Sequence, residues 1–314
     1  MQTQINSNVQ TNSPNQSNFS VWWHLLRPHT LTASFVPVFI GTASAIKYLD
    51  TLDIRYSLFF AMLIACMLIQ AATNMFNEYY DYKRGLDNAE SIGIGGAIVR
   101  HGVKPKTVKY LALIFYAIAF LLGIYISAET SWTLLALGLV SMAAGYFYTG
   151  GPIPIAYTPF GEIVAAIFMG VFIICTSFYI QAGLVTTESV MHSLPTSILI
   201  ALILTANNIR DLDNDKVCGR KTLAILLGKK NSIIFLGIMF LISFLLVIYM
   251  TLTTPHAWFY LLVLLSIPKA IKATKGFIGK TKPIEMMPAM VATAQVNTMF
   301  GFLFGIGILL TYFF

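Results

Sequence analysis

The stretch Asn74-Met-Phe-Asn77-Glu78-Tyr-Tyr80-Asp81-Tyr-Lys83-Arg84-Gly85-Leu-Asp87 closes an apolar run that begins at Tyr56. The run is long enough to cross a bilayer, and its end turns acidic and then basic. A second apolar run ends in the same way: Asn207-Asn208-Ile-Arg210-Asp211-Leu-Asp213-Asn-Asp215-Lys216-Val-Cys-Gly219-Arg220-Lys221-Thr222. Carboxylates are expensive at a membrane boundary and usually mark function there.

The rest of the chain has the same apolar character. Hydrophobic residues make up 57%, charged residues 11%, and the mean hydropathy is +0.73. These values exclude an ordinary soluble domain and indicate an all-α polytopic membrane protein. Nine transmembrane helices are expected, over Pro28–Tyr48, Tyr56–Tyr79, Val108–Ser127, Ser131–Tyr148, Gly161–Gly183, Leu194–Ile209, Ser232–Thr254, His256–Ile271 and Met287–Phe313. Residues 1–20 carry Asn, Gln, Ser and Thr but no charged side chain and no apolar core. They read as a disordered polar tail and not as a signal peptide. Residues 21–314 then form a single transmembrane domain.

The formal net charge of +7 does not point to nucleic acid, because of where the charges lie. With nine spans and the N-terminus in the cytoplasm, only Lys47 and Arg55 of the 20 Lys and Arg fall outside. This is the positive-inside pattern of a multi-pass cell-membrane protein, and it puts both acidic clusters on the cytoplasmic face. Cys66 and Cys175 lie in spans and Cys218 in an inner loop; with no metal-type spacing and a reducing compartment, free thiols are expected.

The second and sixth spans both run inward. Aligning Asn77 with Asn207 pairs Asp81 with Asp211, a weak internal repeat offset by four helices. The fold is therefore expected to hold two pseudo-repeated halves around a central cavity, with a site at their interface.

Asn74, Asn77, Glu78 and Asp81 share one helical face, and so do Asn208, Asp211 and Asp215. Asp87 lies beyond Gly85 in the following loop. Such hard oxygen ligands suit Mg²⁺, which keeps several waters and bridges a few carboxylates to substrate phosphates. Lys83, Arg84, Arg220 and Lys221 follow closely. They satisfy topology, and they also suit charge-assisted binding of diphosphate oxygens. The Gly-rich loop Ser91-Ile-Gly93-Ile-Gly95-Gly96-Ala-Ile-Val-Arg100 suits a lid with Arg100 reaching inward. The irregular segment from Tyr146 to Pro154 suits an aromatic wall that includes Tyr148. Gln295 and Asn297, polar residues in the last span, suit interhelical hydrogen bonding.

At these residues the chain resembles the UbiA-type intramembrane aromatic prenyltransferases, over roughly Val21 to Phe314. The segments Asn77–Asp87, Gly95–Arg100, Asn207–Asp215 and Gly219–Ala224 resemble the branch that acts on 1,4-dihydroxy-2-naphthoate in menaquinone synthesis. Two departures stand out: Glu78 takes a place where the wider family has Asp, and Asp87 follows Asp81 by six residues instead of four.

The resemblance implies a catalytic set of Asp81, Asp211 and Asp215. It implies Mg²⁺ held by Asn77, Glu78, Asp81, Asp87, Asp211 and Asp215. Asn74, Lys83, Arg84, Arg100, Tyr148, Asn208, Arg220 and Lys221 would bind substrate. The donor would be a polyprenyl diphosphate and the acceptor 1,4-dihydroxy-2-naphthoate, with loss of CO₂ to give demethylmenaquinone, all within the lipid bilayer. A sister enzyme using 4-hydroxybenzoate, homogentisate or haem shares the donor site, and a cation-coupled transporter is the rival from another class.

Overall fold

The computed structural model describes residues 18–86 and 96–314. Residues 1–17 and 87–95, which include Asp87 and the first half of the Gly-rich loop, lie outside the described residues. Every regular element among the described residues is helical: α1 Asn18–Leu26, α2 Pro28–Leu49, α3 Tyr56–Lys83, α4 Pro105–Glu129, α5 Trp132–Thr149, α6 Gly161–Ala182, α7 Thr187–Val217, α8 Leu223–Leu227, α9 Lys229–Thr253, α10 Ala257–Lys275 and α11 Pro283–Phe313. Among the described residues nine helices, all but α1 and α8, are long and apolar enough to cross a membrane. The three cysteines are free thiols.

Two helices outrun the apolar segments that define them. α3 continues past Tyr79 to Lys83, and α7 continues past Ile209 to Val217. Asp81, Asp211 and Asp215 therefore stand on rigid helix rather than on loops. α7 is nucleated at its other end by a capping box, in which Thr186 Oγ1 accepts from the Ser189 N–H and Ser189 Oγ accepts from the Thr186 N–H. Consecutive spans alternate in direction, so α3 and α7, the second and sixth, deliver their acidic ends to one face.

The last three spans form the back of the molecule. Buried residues of α9, α10 and α11, including Phe240, Tyr260 and Phe300, pack against Val36 and Ile40 of α2 and Leu199 and Leu202 of α7. A smaller cluster joins Leu25 of α1 to Ala72, Met75 and Phe76 of α3, to Ala97 and Ile98, and to Val108 and Ala112 of α4. Trp22 and Trp23 of α1 are exposed, as suits a helix at the membrane–water interface.

Helix contacts rely on small residues where backbones approach closely, as in other membrane bundles. A Cβ on Gly170 would lie 2.1 Å from Ser197 Oγ, so only glycine lets α6 close onto α7 there. Gly170 belongs to a π-helical stretch, Ala166–Val171, inside α6. π-turns of this kind recur at functional sites. In the last span Gln295 accepts from Lys269 Nζ at 3.2 Å, while Asn297 is fully buried with neither side-chain polar atom hydrogen-bonded.

Candidate active site

A cavity of about 290 Å³ opens among α2, α3, α4, α5, α6 and α7. It sits among the first six spans, to one side of the bundle, while the last three pack behind it. One stripe of α3 runs its length: Met62, Ala65, Cys66, Ile69, Gln70, Thr73, Asn74 and Asn77. These are successive positions on one helical face. At 1.5 Å per residue they cover about 22 Å of helix, most of the thickness of a hydrocarbon core. The stripe begins apolar and ends in amides, so the cavity is greasy in depth and polar at the acidic end. Phe120, Phe168, Phe172, Leu134 and Leu204 continue the apolar wall. Arg27, Tyr148 and Asn207 join Asn74 and Asn77 on the polar part.

The two acidic segments meet at that end through one arginine. Arg220 Nη1 donates to Asp215 Oδ1 at 3.0 Å, and Nη2 donates to Asp81 Oδ1 at 3.2 Å. α8 and the turn before it bring this about. The Arg220 N–H bonds to the Asp215 carbonyl as the chain leaves α7, and Gly219 takes φ +77° to make that turn. Burial opposes the charge on Arg220, but Asp81 and Asp215 outweigh it and hold the guanidinium above its ordinary range. The guanidinium also lies 5.0 Å from the Tyr157 ring centre, and Arg84 lies 5.4 Å from the same ring.

Asp211 is held differently. It takes both hydrogen bonds from its neighbour Arg210, whose remaining Nη1 faces Met290 Sδ at 2.8 Å and Met287 Sδ at 3.2 Å. Asp215 is 4% exposed, and its Oδ2 has no hydrogen-bond partner. An orphaned buried carboxylate oxygen beside a second carboxylate is a place for a cation. Among the described residues no three acidic, His or Cys side chains converge on a point. The pair Asp81 and Asp215 is the number of carboxylates a hard cation such as Mg²⁺ takes when its other positions go to water and phosphate.

Residues 34–282 match the sequence profile of the UbiA prenyltransferase family. The chain belongs to that family. It is 52% identical over 304 residues to a 1,4-dihydroxy-2-naphthoate octaprenyltransferase of Bacillus subtilis, covering 97% of each chain. It is 29% identical to the UbiA prenyltransferase domain-containing protein 1 of Danio rerio, over 94% of this chain and 85% of that one. Among solved structures, a UbiA homolog from Archaeoglobus fulgidus bound to DMAPP and Mg²⁺ shares the fold, with TM-score 0.64 at 16% identity, 92% of this chain and 99% of that one.

Within this UbiA fold the expected site residues separate into groups. Asn77 lines the cavity and its Oδ1 accepts from Thr149 Oγ1 at 2.6 Å. Asn74 lines it too, and donates to Thr30 Oγ1 at 3.0 Å. Tyr148 is on the wall. Arg84 is spent on backbone, donating to the carbonyls of Thr149 and Gly151. Lys83 and Lys221 are exposed at the rim, and the Lys221 N–H bonds to the Tyr157 carbonyl at 2.9 Å. Glu78 is buried, with Oε1 accepting from the Ile98 N–H at 3.0 Å, so it faces the turn at Gly96–Arg100. Arg100 itself is exposed, at the far end of that turn. Asn208 turns from the cavity and donates to Glu162 Oε1 at 2.8 Å.

Five residues at this end were not among the site residues expected from the sequence: Arg27, Thr149, Tyr157, Glu162 and Asn207. Glu162 carried a signal, a single carboxylate opening an apolar span. Asn207 carried one as well, being the direct partner of Asn77 in the repeat. Thr149 and Tyr157 carried none. Arg27 takes left-handed backbone, φ 51°, where the chain turns from α1 into α2, and that turn aims it at the cavity.

Proposed function

We propose that this chain transfers a polyprenyl group from polyprenyl diphosphate to 1,4-dihydroxy-2-naphthoate, with loss of CO₂, giving the hydroquinone form of demethylmenaquinone and diphosphate. One observation carries the reading. Two acidic helix ends meet through a single arginine, and an apolar cavity runs from their end of the bundle into its depth. A long apolar donor with a charged head needs both. The naphthoate as acceptor is supported by the 52% identical relative of that name.

In this reading Asp81 and Asp215, with Asn77, would hold Mg²⁺, while Asp211 stays paired with Arg210 beside them. When bound, the ion supplies charge stabilisation on the leaving diphosphate. Arg27, Lys83, Arg220 and Lys221 take diphosphate oxygens, and Arg84 fixes the Tyr146–Pro154 segment that carries Tyr148. Asn74 and Asn208 orient the helices that bear the ligands. Glu78 anchors the turn at Gly96–Arg100 through the Ile98 N–H. The apolar stripe of α3 takes the prenyl tail and keeps water from the reacting carbon. The Tyr148 and Phe168 rings offer their faces to positive charge on that carbon. The allylic C–O bond breaks, the ring carbon bearing the carboxylate forms the new C–C bond, and the carboxylate departs as CO₂. The basic residues gather at the acidic end, so that end faces the cytoplasm of a cell membrane.

The test is turnover by the purified chain in detergent with a polyprenyl diphosphate and Mg²⁺, offered 1,4-dihydroxy-2-naphthoate and 4-hydroxybenzoate in parallel. Product from the naphthoate alone is expected. Product from 4-hydroxybenzoate alone would keep the donor site and replace the acceptor. Cation flux in proteoliposomes without transfer would replace the reading altogether.

A further inference from the structure

Arg220 sits between the carboxylates that the functional reading assigns to the cation. Its two terminal nitrogens reach one oxygen of Asp81 and one of Asp215, across helices 139 residues apart in sequence for the Asp81 contact. The guanidinium thus already supplies half of the positive charge that these two carboxylates need. Arg220 Nε and Asp215 Oδ2 are both buried and without a hydrogen-bond partner. The arrangement is half neutralised and incompletely satisfied, so it has room for a second partner.

We infer that Arg220 makes the site refuse a bare divalent cation and accept the cation only together with diphosphate. A lone divalent ion entering between Asp81 and Asp215 meets a like charge and has nothing to offer the displaced guanidinium, which is left buried without a partner. A cation carrying diphosphate brings anionic oxygens with it. Arg220 can turn from the carboxylates onto those oxygens in a charge-assisted pair, and the carboxylates pass to the cation. The side chain is placed for such a turn. Its backbone is pinned by the N–H bond to the Asp215 carbonyl, while the guanidinium lies over the Tyr157 ring, which stays beside it as it turns. Arg210 has no such freedom: it is 8% exposed, bound to Asp211 through two nitrogens and closed in by Met287 and Met290. Of the two arginines paired with the motif aspartates, Arg220 is the one built to move.

The inference rests on the reading that Asp81 and Asp215 hold the cation, and metal binding tests it without turnover. Mn²⁺ would be titrated by electron paramagnetic resonance against wild type, Arg220→Ala and Arg220→Lys, alone and with an unreactive geranyl thiolodiphosphate. Wild type should bind Mn²⁺ weakly alone and at least about tenfold tighter with the analogue, within the usual range of coupling between ligands. Arg220→Ala should bind Mn²⁺ alone about tenfold tighter than wild type and gain far less from the analogue. Arg220→Lys, which keeps a charge but cannot bridge both carboxylates, should fall between, and it serves if the alanine variant does not fold. Equal or weaker binding of bare Mn²⁺ by the variants would overturn the inference. Wild type that binds no Mn²⁺ even with the analogue would instead overturn the metal reading itself, and the inference with it.

Discussion

Substituting Asp215→Asn should separate catalysis from stability. The Asp215 side chain is 5% exposed, with Oδ1 3.0 Å from Arg220 Nη1. Asparagine keeps the volume and a carbonyl oxygen for Arg220 but removes the charge. Arg220 is not stranded, because Asp81 remains 3.2 Å away. The change replaces a charge-assisted hydrogen bond by a neutral one, a loss of about 1–2 kcal/mol, and some of that returns because one fewer carboxylate is desolvated. The melting temperature in detergent should therefore fall by no more than about 5 °C. Activity should respond on another scale. Removing one group that stabilises developing charge on a leaving group typically costs about 4 kcal/mol, which at 1.36 kcal/mol per decade is roughly a thousandfold in kcat/KM. The assay is prenyl transfer by purified protein, with melting followed by fluorescence on the same preparation. Activity within tenfold of wild type would remove Asp215 from the mechanism. A loss that tracks unfolding would make its role structural.

Other substitutions address the cavity and its rim. Ala65→Phe, in the deep part of the α3 stripe, should raise KM for long donors several-fold and leave short ones nearly unchanged; an equal effect on both would mean the tail lies elsewhere. Gly170→Val places a Cβ 2.1 Å from Ser197 Oγ and should destabilise by about 1–3 kcal/mol or more through overpacking, read as a lower melting temperature; an unchanged one would refute the close α6–α7 approach. Lys83 is exposed, so Lys83→Ala should raise the donor KM by up to about fivefold, less at high salt; an unchanged KM would return Lys83 to topology.

The sequence displayed the spans plainly, because a bilayer demands long apolar runs and nothing else in the chain competes with them. Their polar ends were harder. The first and second acidic segments stop looking transmembrane at Tyr79 and Ile209, yet the helices run on to Lys83 and Val217, because Asn and Asp at helical spacing continue the same face into the polar zone. The repeat aligns Asp81 with Asp211, whereas the structure joins Asp81 to Asp215, and nothing in the repeat names the agent. Arg220 reaches Asp81 across a gap in sequence that no local pattern records, and Arg210 is sealed by methionines from α11. Asn208 and Glu78 share faces with the motif aspartates, and so read as ligands. In the structure they hydrogen-bond to Glu162 and the Ile98 backbone, contacts that a shared face does not record. That the last three spans contribute nothing to the cavity lining was likewise invisible, because it depends on how they pack against α2 and α7.

The central claim is that the Asp81–Asp215 end of the cavity carries out decarboxylative prenyl transfer. Naphthoate labelled in its carboxylate carbon tests it most directly, with CO₂ and prenylated product counted in the same reaction. One CO₂ released per product, dependent on Mg²⁺, abolished by EDTA and absent in the Asp81→Asn/Asp215→Asn double variant, is the predicted result. Product that retains the label, or label lost at the same rate in the double variant, would contradict it.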